Sequence, residues 1–494
     1  MTESDGDEDS LAATLATVRE RTTPDAAERD RLAAVADELR SRAREAIAAL
    51  PAPASDADVL QVGSTARGTW LPGDRDVDLF VRFPTTLDRE ELERYGLEVG
   101  HAVLPEGREE FAEHPYVKGT YDGFDVDLVP CFDVADATAI RSAVDRTPFH
   151  TAYLDEHLDE SLAADVRVVK QFLTATGAYG SDLRTRGFSG YLTELLVLEH
   201  GGARPLLAAA AESWQPPVRF DPADHGTTTF DDPLVVVDPT DPERNVAAVC
   251  AAENVARLQH HARALLADPD PERFEVPERS PLDADAVREH VRRRGTEPVA
   301  LAVDVPAGGD GEPLVDDQLY PQLRRSLDGL AGTLEDHGFA VLRSRTFAAP
   351  ADDESGVGAG GGVSDGETND RPASATSRRA VLLFELAHAE LPAVERHEGP
   401  PVHVPGHAAG FYEKYAETDA YGPFLDGDRY VVERERAVRD AAAFLRSGAF
   451  GEVALGAGVE RALGGEYTVY TGEDLAALAD AFGDELRRYF DPQV

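Results

Sequence analysis

The sequence predicts a multidomain protein of the α+β class. The chain has 494 residues, which is enough for three or four domains of ordinary size. Short apolar segments with strand character occur in the first 130 residues and again after residue 297. Between Thr147 and about Leu266, apolar residues recur at helical spacing instead. Because strands and helices are concentrated in different parts of the chain, we expect several domains of mixed content.

The first 150 residues are predicted to contain two helices and three strands. Residues 10–50 are rich in Ala, Leu and Arg and indicate two helices that separate near Thr23-Pro24. Short apolar runs predict the strands, at Asp58–Gln61, Arg75–Phe83 and Phe124–Pro130.

The C-terminal part mixes strand and helix patterns. Strands are predicted at Pro298–Val305, Phe339–Phe347 and Ala380–Leu386, and helices at Tyr320–His337, Val402–Tyr415, Glu433–Arg446 and Asp474–Phe490. Residues 348–377 consist mainly of Gly, Ser, Asp and Thr. Such a segment buries too little apolar surface to offset its ordering entropy. We therefore expect a flexible surface loop that joins two strands of one hairpin.

The formal net charge is −45, a sign that disfavours contact with nucleic acid. Lysine occurs only at Lys118, Lys170 and Lys414, arginine supplies the other basic residues, and acids are spread along the whole chain. This composition is typical of halophilic proteins, because molar salt screens charge repulsion within about 3 Å. An ordinary acidic protein that avoids nucleic acid is the alternative.

Other features of composition predict a cytoplasmic protein without a membrane anchor. Apolar stretches are shorter than the roughly 18–20 residues that a membrane span requires. The acidic N-terminus resembles neither a signal peptide nor a transit sequence. Cys131 and Cys250 show no metal-ligand spacing, and we expect two buried thiols rather than a disulfide.

A Gly-Ser turn followed by two aspartates is the first candidate site. Gly63 and Ser64 follow a predicted strand, and small residues there let backbone amides and a hydroxyl approach a triphosphate. Asp76 and Asp78 lie at positions i and i+2 of the next apolar strand, so both carboxylates point to one face. Two Mg²⁺ ions about 3.5–4 Å apart need such oxygen ligands.

The aspartate pair alone does not indicate a site, because chance gives about 15–20 acid-x-acid pairs in a chain this acidic. It becomes a candidate because it follows a Gly-Ser turn and lies in an apolar strand. A third strand, FDVDLVPCF, supplies Asp125 and Asp127 on one face. Spacing alone does not decide which of these two completes a triad of ligands.

At this point the sequence resembles the DNA polymerase β-type nucleotidyltransferases, and within them the archaeal, class I CCA-adding enzymes. The matching blocks follow the family order and span most of the chain. They are GSTARGTWLPGDRDVDLF (63–80), HPYVKGTYDGFDVDLVPCF (114–132), RTPFH (146–150), RGFSGYLTELL (186–196), VVDPTDPERNVAA (236–248) and LLFELAHAELPAVERHEGPPV (382–402).

The resemblance implies an enzyme that adds C, C and A to the 3′ end of tRNA, with CTP and ATP as substrates and no template. It implies binding of the tRNA acceptor end and coaxial stem, and it leaves a homodimer open. The implied domains are a catalytic head with a small mixed sheet (1–150), a helical neck (151–265), a mixed α/β body (266–330 with 430–494) and an α+β RNA-binding tail (331–429) with a flexible insert (348–377).

The resemblance also implies roles for individual residues. Asp76, Asp78 and Asp127 match the catalytic ligands of two Mg²⁺ ions, although the family usually has Glu at the position of Asp76. The implied nucleotide-binding residues are Gly63, Ser64, Arg67, His150, Lys170, Tyr179 and Arg244. Arg244 matches a residue that reads the incoming base together with the RNA backbone. The alternatives are ordinary structural roles, including a salt bridge from Arg244 to Asp241 or Glu243.

The sequence offers several candidate RNA contacts and two alternative functions. The candidate RNA-binding arginines are Arg292–Arg294, Arg324, Arg325, Arg343, Arg345, Arg378 and Arg379, and the candidate stacking residues are Phe411, Tyr412 and Tyr415. A poly(A) polymerase or an oligoadenylate synthetase of the same superfamily is the alternative enzyme. A non-catalytic RNA-binding relative is disfavoured, because all three carboxylates are present.

Overall fold

The computed structural model describes residues 4–111, 113–226, 229–308, 313–350, 377–451 and 453–494. The chain divides into two compact units, Met1–Pro277 with Val494 and Glu278–Gln493. Most of the predicted loop at 348–377 lies outside the described residues. No helix within the described ranges is long and apolar enough to cross a membrane.

The first unit begins with two helices and a five-stranded sheet. Its helices are α1 (Ser4–Thr22), α2 (Ala26–Ala48), α3 (Gly63–Arg67), α4 (Arg89–Val103), α5 (Thr147–His157), α6 (Glu160–Ala175), α7 (Gly190–His200), α8 (Ala203–Glu212) and α9 (Ala252–Ala267). Its strands are β1 (Asp58–Val62), β2 (Asp76–Pro84), β3 (Arg108–Phe111), β4 (Pro115–Tyr121), β5 (Phe124–Asp133), β6 (Val218–Phe220), β7 (Leu234–Asp238) and β8 (Asp241–Asn245). The predicted break between the first two helices is confirmed, and Asp25 caps α2 by accepting a hydrogen bond from the amide of Glu28.

The strand order of the large sheet is β1-β2-β5-β4-β3. The central strands β2 and β5 run parallel, whereas the other pairs are antiparallel, so the predicted mixed sheet is confirmed. Val77, Leu79 and Val81 alternate along β2 and are fully buried in the core that α2 and α4 share with the sheet. The alternate residues of β2 therefore face the opposite side, where Asp76 and Asp78 lie.

Residues 147–267 are mainly helical, as predicted, but they also contain a small sheet in the order β6-β7-β8. The sequence analysis missed this sheet. All five residues of β7 are buried, so the strand lacks the alternation of polar and apolar residues that distinguishes strands from helices. Cys131 and Cys250 are both buried and unbonded, as expected.

The second unit is built on a four-stranded sheet in the order β10-β11-β9-β15. Its helices are α10 (Ala284–Arg294), α11 (Asp316–Asp336), α12 (Pro405–Tyr415), α13 (Ala441–Ser447), α14 (Ala457–Leu463) and α15 (Ala479–Phe490). Its strands are β9 (Glu297–Pro306), β10 (Val341–Ala348), β11 (Ser377–Leu386), β12 (Val394–Pro401), β13 (Tyr421–Asp426), β14 (Arg429–Glu435) and β15 (Thr468–Thr471).

The predicted hairpin is confirmed, because β10 and β11 pair in antiparallel register. Strand β11 also pairs with β9, so this sheet crosses the domain boundary predicted at residue 330. One face of the sheet packs on α11, α13 and α14, and the other packs on α10 and α15.

A separate three-stranded sheet, β12-β14-β13, packs against α12. The helix predicted at 433–446 is wrong at its start, because residues up to Glu435 belong to β14. Helix α13 begins only at Ala441, where the Asp440 side chain accepts a hydrogen bond from the amide of Ala443. The mixed α and β content predicted for the whole chain is confirmed.

Candidate active site

The Gly-Ser turn lies directly against one of the predicted catalytic aspartates. Strand β1 ends at Val62, which pairs with Asp78 of β2, and the chain then turns into α3. Gly63 has a φ of +79°, and a Cβ atom at this position would lie 2.2 Å from Oδ2 of Asp78. Only glycine therefore fits here, and the turn places Ser64 next to the carboxylate strand.

The parallel pairing of β2 and β5 brings the aspartates side by side. Asp76 lies opposite Asp125, and Asp78 lies opposite Asp127. Burial, followed by repulsion from Asp127 and Asp76, raises the pKa of Asp78 to about 7. Burial and neighbouring acids likewise raise the pKa values of Asp76 and Asp127. A cation at this face would relieve the repulsion.

Asp127 and Asp125 differ in their surroundings. Asp127 is half-buried and is the charged neighbour with the largest effect on Asp78. Asp125 is exposed, and its Oδ1 accepts a long hydrogen bond of 3.4 Å from Thr120. Lys118 of β4 lies 3.4 Å from Oδ1 of Asp127 and offsets part of the negative charge. These environments favour Asp127 over Asp125 as the third ligand.

The donor chemistry suits Mg²⁺, which prefers carboxylate oxygens. Across the described ranges, however, His, Cys, Asp and Glu side chains nowhere form a group of three that is already arranged to hold a metal ion. The structure thus places the three aspartates on one face of two adjacent strands, but their carboxylates are not yet close enough together to coordinate one metal ion.

Arg67 and Lys170, both predicted to contact the triphosphate, are tied to one buried glutamate network. The guanidinium of Arg67 lies 2.9 Å from Glu194, and these side chains are only 9% and 1% exposed. The Thr69 hydroxyl donates to Glu194 at 2.6 Å, and the Lys170 ammonium donates to the Thr69 carbonyl at 2.9 Å. Arg67 can therefore reach a triphosphate only in competition with Glu194.

Sequence reasoning missed Glu194, which is one of 93 acidic residues. Its one local signal is its place in GYLTELLVL, an otherwise apolar helix. An acid on a buried helix face needs a partner of opposite charge, and that requirement could have identified it.

Tyr179 and Lys170 converge on the first turn of α7. A Cβ atom at Gly190 would lie 3.3 Å from the Tyr179 hydroxyl and 3.7 Å from the Lys170 ammonium. Ser189 caps this helix by accepting a hydrogen bond from the amide of Leu192. An ammonium, a hydroxyl and a helix N-terminus together form a setting that favours an anion.

His150 and Arg244 are held by the same buried acid, Asp238. Their side-chain nitrogens lie 2.8 Å and 2.7 Å from Oδ2 of Asp238. The predicted alternative partners of Arg244, Asp241 and Glu243, are therefore not the residues to which it donates. The sequence analysis also missed Asp238, because nothing in its local sequence distinguishes it from neighbouring acids.

His114, from the matching block 114–132, and Arg378, a candidate RNA contact, are both buried in the fold. His114 is 3% exposed, lies 3.3 Å from Glu93 and contacts the Phe132 ring edge-on. Arg378, a predicted RNA contact, is 3% exposed and pairs with Asp316 at 2.7 Å. This buried pair removes Arg378 from the RNA-binding candidates, because its guanidinium is fully used inside the fold.

The other candidate RNA contacts vary in accessibility. Arg325, Arg345 and Tyr412 are exposed, whereas Tyr415 is buried. Arg294 and Arg343 share a buried carboxylate, Glu385, and keep about a third of their side-chain surface exposed.

Known families match three consecutive parts of the chain. The family described as nucleotidyltransferase domain matches residues 41–150, and the second domain of tRNA nucleotidyltransferases matches residues 164–275. The C-terminal domain of CCA-adding enzymes matches residues 294–355 and 369–472.

Individual relatives extend over nearly the entire chain. A CCA-adding enzyme of Halorubrum lacusprofundi is 60% identical over 487 residues, covering 98% of this chain and 99% of that protein. This chain belongs to the CCA-adding enzymes. Another member, from Haloarcula marismortui, is 57% identical over 98% of this chain and 99% of its own length. The resemblance found in the sequence blocks is thus confirmed.

Solved structures with lower similarity cover about half of the chain. A cytoplasmic RNA terminal U-transferase has a TM-score of 0.41 and 16% identity, and covers 55% of this chain and 99% of its own. The Cid1 poly(U) polymerase has a TM-score of 0.41 and 17% identity, and covers 53% of this chain and 98% of its own.

Proposed function

We propose that this chain adds C, C and A to the 3′ end of tRNA from CTP and ATP without a nucleic-acid template. The observation that carries the proposal is the placement of Asp76, Asp78 and Asp127 on two parallel strands beside the Gly63-Ser64 turn. The three carboxylates repel one another, and Asp78 lies close to the backbone of Gly63. Both features are expected where carboxylates bind metal ions for a phosphoryl-transfer reaction.

Asp76, Asp78 and Asp127 are the residues proposed to hold two Mg²⁺ ions. When bound, the ions would lower the pKa of the attacking hydroxyl and neutralise the pyrophosphate leaving group. Burial of Asp78 and its close approach to the Gly63 backbone keep water away from one side of this carboxylate. The reaction is an in-line attack of the tRNA 3′-hydroxyl on the nucleotide α-phosphate.

The chain's other proposed contacts divide between phosphates and base. Ser64, Lys170, Tyr179 and the start of α7 suit the triphosphate, and Arg67 joins them when the nucleotide displaces Glu194. His150 and Arg244 are proposed to contact the sugar-base part of the nucleotide, where a planar guanidinium distinguishes acceptor edges.

For the rest of the molecule, we propose that the second unit binds the tRNA acceptor end and coaxial stem. Arg343 and Arg345 lie two residues apart on β10, so both point to one face of the sheet. The division into head (1–150), neck (151–265), body (266–330 with 430–494) and tail (331–429) is part of this proposal, with body and tail sharing the sheet in which β9 pairs with β11. A cytoplasmic location belongs to the proposal as well.

A nucleotide-incorporation assay in molar KCl tests the proposal. Labelled CTP and labelled ATP are offered separately and together to tRNA that lacks its CCA end. We expect two additions of C, then one addition of A that depends on CTP. Repeated addition of A without CTP would instead identify a poly(A) polymerase, and no incorporation of either nucleotide would contradict the proposal.

A further inference from the structure

Two sequence blocks that are far apart in the chain meet at the carboxylate of Asp238. Strand β7 ends at Asp238, and a tight turn leads into β8, which carries Arg244. Asp238 is fully buried, and its Oδ2 atom receives hydrogen bonds from His150 at 2.8 Å and Arg244 at 2.7 Å. One oxygen atom therefore fixes the side chains of both blocks relative to each other.

The other oxygen of this carboxylate is fixed by its surroundings. Oδ1 accepts hydrogen bonds from the amide and hydroxyl of Thr240, at 2.9 Å and 2.8 Å, and a longer one from Tyr191. The Tyr191 ring also stacks on the imidazole of His150, with 4.0 Å between ring centroids. With Oδ1 held in this way, the direction of Oδ2 is determined before any ligand arrives.

Asp238 remains negatively charged despite its burial. Burial opposes its ionisation, yet hydrogen bonds from His150 and Thr240 hold its pKa well below the usual range. The charge attracts the Arg244 guanidinium in a setting that solvent screens poorly.

Arg244 is held by one edge of its guanidinium only. Within the described part of the chain, its Nη1 is the one guanidinium nitrogen with a hydrogen bond, and its side chain is 34% exposed. Nε and Nη2 thus remain as donors that a ligand can use.

We propose that Asp238 is a positioning residue for nucleotide selection, which fixes Arg244 and His150 in the orientation that reads the incoming base. This inference rests on the proposed function, in which both residues contact the nucleotide. An Asp238→Asn side chain keeps the shape but carries no charge for Arg244. Its amino group also replaces one of two acceptors, either the oxygen that faces His150 and Arg244 or the oxygen that faces Thr240. Selectivity should therefore fall.

The same turn offers a matched control. Asp241 is also buried and pairs with Arg146 at 3.1 Å, four residues before His150. Within the described ranges, the Asp241 carboxylate accepts from Arg146 and from the amide of Glu243, and from neither His150 nor Arg244. Asp241→Asn therefore removes a buried charge from the turn without touching the two residues that are proposed to read the base.

The experiment measures kcat and KM for single-nucleotide addition of CTP against UTP and of ATP against GTP, with fold checked by circular dichroism. We expect Asp238→Asn to lower discrimination about tenfold or more, chiefly through a higher KM for the correct nucleotide. Asp241→Asn should keep wild-type discrimination. Equal losses in both variants would show that only the integrity of the turn matters, and would overturn the inference.

Arg244→Ala separates this inference from the proposed function. We expect it to loosen selection, and the double variant Asp238→Asn/Arg244→Ala to lose less than the product of the single effects. Unchanged selection in Arg244→Ala would refute its proposed contact with the base. Loosened selection in Arg244→Ala but not in Asp238→Asn would refute the inference alone.

A milder variant covers the case in which Asp238→Asn does not fold. Thr240→Val keeps the charge of Asp238 but removes the hydroxyl that holds Oδ1. A severalfold loss of discrimination is expected, because Oδ2 is then less well directed. Wild-type discrimination in a folded Thr240→Val protein would overturn the inference.

Discussion

At the scale of single residues, the candidate site keeps acids close together at a cost in free energy. Burial and mutual repulsion raise the pKa values of Asp76, Asp78 and Asp127 together. Surface acids free to move apart would not show this coupling. The apolar residues between them, Val77 and Val126, are fully buried and hold both strands in register.

Replacing any one of Asp76, Asp78 and Asp127 by Asn should abolish C addition and A addition together. Each change removes a negative ligand and keeps the side-chain shape, so the fold should persist. Loss of metal-dependent stabilisation of the transition state, worth several kcal/mol, predicts a fall of about a thousandfold. Single-turnover assays with Mg²⁺ measure the rate for each nucleotide.

Asp125→Asn is the matched control, because Asp125 shares a strand and a face with Asp127 but is exposed. It should keep near wild-type rates. If Asp125→Asn is inactive while Asp127→Asn is active, the third ligand has been misassigned. Full activity in all four variants would contradict the proposed site.

Glu194→Gln should destabilise the first unit by about 3 kcal/mol, because it leaves Arg67 buried without its counter-charge. The measurement is the free energy of unfolding by urea in molar KCl. Glu199→Gln, on an exposed position of the same helix, should change that free energy by less than about 0.5 kcal/mol. Equal values for the two variants would mean that the Arg67–Glu194 pair contributes nothing beyond a surface charge.

At the scale of elements, the sequence was most informative where one face of a strand or helix is buried. Strand β2 alternates acids and valines or leucines at its start, so both the strand and the face of its aspartates could be predicted. Strand β7 is buried throughout and β14 ends in charged residues, so neither carried the pattern of a strand.

The lack of a local sequence pattern also explains why two residues of the candidate site were missed. Asp238 and Glu194 acquire their roles from partners that are 88 and 127 residues away in the chain. No local pattern encodes such a contact. The matching blocks, in contrast, singled out Gly63, Asp78, His150 and Arg244 as candidates, because each block is a run of consecutive residues that can be recognised as a whole.

Strand β11 provides a pH-dependent contribution to the stability of the second unit. Glu385 is fully buried between Arg294, Arg343 and the Tyr489 hydroxyl. Although burial opposes ionisation, hydrogen bonds from Arg294, Thr296 and Tyr489 lower its pKa from 4.5 to about 2. Because the folded pKa is depressed, this stabilisation is complete above pH 4.5 and is lost as the pH falls towards 2.

Glu385→Gln should therefore flatten the dependence of unfolding free energy on pH between about 4.5 and 2. It should also lower stability near neutral pH by about 3 kcal/mol, since two arginines lose their shared counter-ion. Urea unfolding at a series of pH values in molar KCl measures both effects. Glu297→Gln, an exposed change at the start of β9, should leave the wild-type slope intact. An unchanged slope in Glu385→Gln would contradict the depressed pKa.

At the scale of the whole molecule, the net charge of −45 sets the conditions under which both units can be folded. Many arginines are already paired with acids, including the buried pairs Arg67–Glu194 and Arg378–Asp316. The excess of acids therefore lies mainly among side chains that salt must screen. Low salt extends the screening length from about 3 Å at 1 M to about 10 Å at 0.1 M, so each acid then repels many others.

We therefore expect the protein to unfold when salt is removed. Circular dichroism should show a native spectrum in molar KCl and a cooperative loss of helical signal as KCl falls towards about 0.1 M. Glycine betaine, an uncharged osmolyte, serves as the control, because it favours compact states without screening charge. If screening is the cause, betaine at low salt should restore much less structure than KCl of equal osmolarity. A full native spectrum at about 0.1 M KCl would show that packing and ion pairs alone outweigh the repulsion among the acids.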